Sequence, residues 1–144
     1  MRGKNSKSKT RNSGKILIVA QDLRLAGLIQ EYLSETGYDV ACEFNLDAAL
    51  ETSIEPQVDL LIVDGEMPEK VLKDFMEAIA RLRPELQIIA VGISEHETES
   101  KSLNGLVSAF IEKPFSISDI SNTIKEVQSQ PKADSFKDVT AKPN

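Results

Sequence analysis

At 144 residues the chain has the length of one domain, and with 40% apolar and 28% charged residues it has the composition of a globular protein with an ordinary core. Its net charge of −6 is uneven: residues 1–15 carry six basic side chains and no acid, which leaves 11 basic against 23 acidic residues in the remainder. An acidic body of that kind argues against a nucleic-acid-binding face on the folded part.

The basic arm, residues 1–14, has the Ser/Asn/Gly/Lys composition of a disordered, solubilising tail. A tether to nucleic acid or to anionic lipid is the other use for such a charge run. Lys15 to Ala20 reads as a first buried strand, and its apolar run is too short for a signal-peptide core. No run in the chain approaches the roughly 18 residues of a membrane span, so a cytoplasmic protein is expected. Asp22 is placed to cap a helix over Leu23 to Thr36, where Leu23, Leu25, Ala26, Leu28, Ile29, Tyr32 and Leu33 recur at helical spacing. Gly37 suits the position just past the end of that helix.

Tyr38 to Phe44 alternates enough to be a second, less buried strand. Cys42 within it reads as a small core residue, and as the single cysteine it excludes an internal disulfide framework or a cysteine metal cluster. Asn45 caps a short helix from Leu46 to about Ile54, and Pro56 separates it from the next strand.

That strand, Val58 to Val63, is apolar apart from Asp59 and ends on the carboxylate Asp64. Runs of this kind suit a strand buried on both faces of a parallel sheet. Gly65 to Pro68 turns the chain, and Lys70 to Arg83 follows as a helix with Val71, Leu72, Phe75, Met76, Ile79, Ala80 and Leu82 on its apolar face; Pro84 ends it. Leu86 to Val91 is a fourth strand closed by Gly92, Glu95 to about Leu103 a weak polar helix, and Leu106 to Ile111 a fifth strand. His96, the sole histidine, is expected in solvent. After Lys113-Pro114-Phe115, Ser116 or Ser118 starts a last helix to about Gln128, and the stretch from 130 to 144 is polar and frayed.

Five strands alternating with helices imply one α/β domain, about 15–129, with a doubly wound parallel sheet. In such sheets ligands bind beyond the carboxyl ends of the strands. There the sequence gathers Ala20, Gln21 and Asp22, then Asp64 to Glu66, Gly92 to Ser94, and Glu112 with Lys113. A carboxylate facing a lysine from another loop is a sensible pair for handling phosphate, one as nucleophile and the other neutralising the transferred group. A plain structural ion pair between Asp64 and Lys113 would have the same sequence. A flavin site needs a phosphate-cradling loop after the first strand, and Ala20 to Leu23 has no glycine or hydroxyl run of that kind.

From about Lys15 to Gln128 the chain resembles the receiver domain of bacterial two-component response regulators. Ile16-Leu17-Ile18-Val19, Asp64-x-x-Met67-Pro68, Ile88-Ile89-Ala90-Val91 and Lys113-Pro114-Phe115 carry the resemblance. It implies a (βα)5 flavodoxin-like fold with strand order 2-1-3-4-5, the class to which flavodoxin and CheY belong. It also implies Asp64 as the phosphoacceptor for a sensor histidine kinase, Lys113 as the phosphate-contacting residue, and a Mg²⁺ ion held near them. The protein is then a signalling module and not an enzyme, beyond self-catalysed phosphoryl transfer to Asp64.

The departures from that family fall on function. Its acidic pair after the first strand is Ala20 and Gln21 here, so a weakened metal set of Asp64, Glu66 and Gln21 is what remains. The hydroxyl residue that closes the fourth strand corresponds to Gly92, with Ser94 as a substitute only if the loop bends back. The switch aromatic falls on Phe110, expected as a buried core residue, and the glycine-alanine pair before the fifth strand is disturbed around Gly105 to Val107. Two readings follow. One is a stand-alone, atypical receiver acting through protein–protein contacts of about Glu95 to Gln128, with a kinase or other signalling partner or as a homodimer. The other is a Mg²⁺-dependent phosphoacceptor on Asp64.

Overall fold

A computed structural model describes residues 14–94, 96–97, 103 and 105–129. The elements run β1 (Lys15–Val19), α1 (Leu23–Glu35), β2 (Asp39–Glu43), α2 (Leu46–Ser53), β3 (Val58–Asp64), α3 (Glu69–Leu82), β4 (Gln87–Val91), β5 (Ala109–Ile111) and α4 (Ile117–Gln128). The arm before Gly14, the tail from 130 and most of the helix expected over Glu95 to Leu103 lie outside the described residues, although His96 and Glu97 are helical. Among the described residues no helix is long and apolar enough to cross a membrane.

All strands are parallel, in the order β2-β1-β3-β4-β5, which is the doubly wound arrangement the sequence implies. Successive side chains of a strand point to opposite faces, and both faces are covered. Leu17, Val19, Leu61, Val63, Ile88 and Ala90 pack with Ala49 of α2 and with Leu72, Phe75, Met76 and Ile79 of α3. Ile16, Ile18, Leu60, Ile62, Ile89 and Val91 pack on the other side with Ala26, Ile29 and Leu33 of α1 and with Ile120, Ile124 and Val127 of α4. Each Ile or Leu so buried contributes about 1.5–3 kcal/mol of hydrophobic free energy. Asp59, which interrupts the apolar run of β3, falls where the β1–β3 register shifts between Lys15 and Ile16.

The helix starts follow the capping residues. Asp22 Oδ1 accepts the backbone N–H groups of Arg24 and Leu25 at 3.0 and 3.2 Å, and Asn45 Oδ1 accepts that of Ala48 at 3.0 Å. Ser116, not Ser118, begins α4, in a reciprocal capping box with Asp119. Gly37 takes φ +102 just beyond α1, a left-handed conformation that favours glycine.

Several expectations need correction. Leu23 and Leu28 of α1 are 63% and 55% exposed: Leu23 is the first residue of the helix and Leu28 faces outward, leaving the stripe to Ala26, Ile29 and Leu33. In α3 the buried stripe is Leu72, Phe75, Met76 and Ile79; Val71 lies beside it and Leu82 at its end, where Arg83 turns the chain, so both are exposed. Strand β5 is shorter than Leu106 to Ile111. The Leu106 N–H bonds Leu103 O at 2.9 Å, a turn that delays the strand, and Ser108 joins Ile88 through its N–H (2.7 Å) and Oγ (3.1 Å) before β4 pairing begins at Ala109. Phe110 is half-buried, packed against one core cluster from the sheet edge. Cys42 is half-buried as well, its thiol 3.4 Å from Gln30 Oε1; burial, then the Glu43 charge, raises its pKa and keeps it protonated.

Candidate functional site at the carboxyl edge

The strand register assembles the site. Val19 lies level with Val63, Asp64 with Val91, and Val91 with Ile111. The residues that follow these positions, Ala20, Gly65, Gly92 and Glu112 with Lys113, therefore line up along one edge. The Gly65 N–H bonds Val91 O at 2.9 Å, and the Gly92 N–H bonds Ile111 O at 2.7 Å, which ties three loops together. Gly65 is required by close approach, since a Cβ there would stand 2.8 Å from Ile93 Cβ and Cγ2.

Asp64 is a buried acid, 8% exposed. Its Oδ1 accepts the Glu66 N–H at 3.0 Å, and its carbonyl accepts the Met67 N–H at 3.2 Å. Burial pushes its carboxyl above the ordinary carboxylate range and the Asp22 charge adds to the rise, while Lys113 and a hydrogen bond from the Gln21 backbone act in the opposite direction. Asp64 is thus within electrostatic reach of Asp22, which repels it, and of Lys113, which attracts it although its salt bridge is to Glu66.

The other residues singled out in the sequence take different places. Ala20 is buried among the apolar side chains of the α1–α4 face. Gln21 is exposed. Asp22 has its carboxylate on the first turn of α1. Lys113 forms its salt bridge with Glu66, not Asp64, and both side chains are half-exposed. Of the Asp64–Glu66–Gln21 set expected to hold a metal, the Glu66 N–H and the Gln21 backbone both hydrogen-bond Asp64, while the Glu66 carboxylate lies on Lys113; among the described residues no three His, Cys, Asp or Glu side chains form a metal-binding group.

Gly92 adopts φ +87, and a Cβ built on it would meet Lys113 Cε at 3.5 Å and Glu66 Oε2 at 3.6 Å. A hydroxyl-bearing residue at this place would carry backbone strain. Ser94 does not substitute for it. Its Oγ accepts the Glu97 N–H at 3.0 Å, while Glu97 Oε1 accepts the Ser94 N–H at 3.0 Å. That reciprocal pair is a capping box, and the Ser-x-x-Glu spacing of residues 94–97 is the signal that foretells it.

The response regulator receiver domain pattern matches residues 16–125. The chain belongs to the response regulator receiver domain family. It is a receiver domain of two-component signalling, a class of signalling module. It is 26% identical over 116 residues to the transcriptional regulatory protein CrdR of Helicobacter pylori, covering 77% of this chain and 53% of CrdR, so it spans about half the length of that relative. The CheY-like response regulator receiver domain protein of Methanospirillum hungatei superposes with a TM-score of 0.70 at 27% identity, over 81% of this receiver and 94% of that one. The response regulator TrrA of Thermotoga maritima, crystallised in complex with Mg²⁺ and BeF, superposes with a TM-score of 0.67 at 23% identity, over 79% and 98% of the two chains. At that identity TrrA speaks for the fold alone.

Proposed function

We propose that this receiver acts by docking on other proteins and that its Asp64 pocket is not used for rapid phosphoryl transfer. The observation that carries the reading is the engagement of three charged groups near Asp64 elsewhere: Asp22 caps α1, and Glu66 and Lys113 are bound to one another. Ala20 supplies no ligand and Gln21 only a neutral amide. Mg²⁺ needs hard oxygen ligands in near-octahedral geometry, usually including one or two carboxylates. The residues present fit that ion poorly, so no step is derived through it. Gly92 likewise has no hydroxyl with which to report a phosphoryl group on Asp64.

The docking surface in this reading is the region from about Glu95 to Gln128, of which β5 and α4 are described. Its partner is a sensor kinase or another signalling protein in the cytoplasm, or a second copy of the chain. The domain spans about 15–129, with the basic arm 1–14 and the polar stretch 130–144 as its flanks. Incubation with phosphoramidate and Mg²⁺, followed by intact-mass measurement, tests the proposal. The wild-type chain should show little or no gain of a phosphoryl group. Rapid, stoichiometric gain that is abolished by Asp64→Asn would instead establish the Mg²⁺-dependent phosphoacceptor.

A further inference from the structure

We propose that Glu66 is a positioning residue: an internal counter-ion that holds Lys113 on the β4–β5 side and withholds it from Asp64. This deepens the reading above and rests on it, because it names the group that competes with the nucleophile Asp64 for its cation. Three observations define the arrangement. The Glu66 backbone is fixed next to Asp64 by its N–H bond to Oδ1 at 3.0 Å, while its side chain reaches the Lys113 ammonium through Oε2. Gly92 lies next to the pair: a Cβ built on it would stand 3.5 Å from Lys113 Cε and 3.6 Å from Glu66 Oε2, in ordinary contact, and its φ of +87 favours glycine there. The Gly92 N–H bond to Ile111 O anchors that residue to the strand leading into Lys113.

The electrostatic consequence is twofold. A carboxylate on the ammonium neutralises the charge that would meet an incoming phosphoryl dianion, and it adds a repulsion of its own. Both side chains are half-exposed, 57% for Lys113 and 51% for Glu66, so water and salt screen the pair and the hold is weak and reversible. Breaking such a pair corresponds to a change of about 2- to 5-fold, and removing the repulsion extends the expected effect to roughly 3- to 10-fold.

The reaction that reads this out is labelling by phosphoramidate. One Asp64 carboxylate oxygen attacks phosphorus of the N-protonated (P–NH3⁺) phosphoramidate, the P–N bond breaks, and ammonia leaves with the bonding pair and its three protons. Rates of mass gain with Mg²⁺ present are compared for wild type, Glu66→Gln, Lys113→Ala and the double variant, with circular dichroism confirming the fold of each. Glu66→Gln should label roughly 3- to 10-fold faster than wild type, and the gain should vanish when Lys113→Ala is added. An unchanged or slower Glu66→Gln overturns the proposal, as does a gain that persists without Lys113. Absence of label in both wild type and Glu66→Gln also overturns it while leaving the docking reading intact. Rapid wild-type labelling that Glu66→Gln accelerates further would sink the docking reading and leave the counter-ion in place.

Discussion

On the β1 side of Asp64, Ala20 is packed in the core, Gln21 is neutral, and Asp22 turns its carboxylate to α1. On the β5 side Lys113 follows the strand and is bound to Glu66 next to Gly92. In the reading proposed above, one flank is altered by substitution and the other by diversion. Substitution is permanent and cheap to recognise from residue types. Diversion depends on one half-exposed ion pair, so a single neutralising change reverses it. The two flanks should therefore answer very differently to mutation.

The largest effect is expected from Ala20→Asp, which places a second carboxylate at a position only 3% exposed. In the presence of a chelator it should cost about 3 kcal/mol in urea unfolding, through burial of an unpaired charge beside Asp64. Added Mg²⁺ should return part of that loss; none returned would mean that the β5 side also prevents the ion from binding. A cost near zero would contradict the apolar placement of Ala20.

Asp22→Ala should be smaller, about 1 kcal/mol from the lost α1 cap. It should also lower the pH at which Asp64 titrates, since the Asp22 charge is one cause of its raised pKa. A carboxyl-resolved NMR titration separates the two consequences, and an unmoved Asp64 would disconnect the flanks.

The smallest effect is expected from Asp64→Asn, a stabilisation of up to about 1 kcal/mol at neutral pH. Burial raises the folded pKa of Asp64 above its unfolded value. Between those two values the folded state binds more protons than the unfolded one, so wild-type stability falls as pH rises through the window. The advantage of asparagine should be complete above the folded pKa and should disappear below the unfolded one. A difference between the two proteins that stays constant with pH would remove burial as its cause.

Much of the frame was legible because it rests on patterns that few alternatives satisfy. The β-rich runs of β1, β3 and β4, the caps Asp22 and Asn45, and Gly37 each have a local physical signature, and the structure places them as expected. Exposure was less legible, because Leu23, Leu28, Val71 and Leu82 have the right residue type but lie at helix ends or beside the buried stripe. At the edge, Asp64 and Lys113 were readable as positions, and their partners were not. Glu66 and Lys113 are far apart in sequence, and no spacing rule says that they meet. Ser94 was different: its Ser-x-x-Glu pattern was there to be read as a cap, and that assignment removes it from the pocket.

Among the described residues the sheet ends in two margins, β2 and β5. Unpaired strand margins recruit other chains through their free backbone groups unless they are short or charged. Strand β5 has only three residues, Ala109–Ile111, and β2 begins at Asp39 and ends at Glu43. A foreign β2 aligned in the same register would bring like carboxylates together at both ends of the strand. The short β5 and the acidic ends of β2 both oppose growth of these margins into a continuous intermolecular sheet.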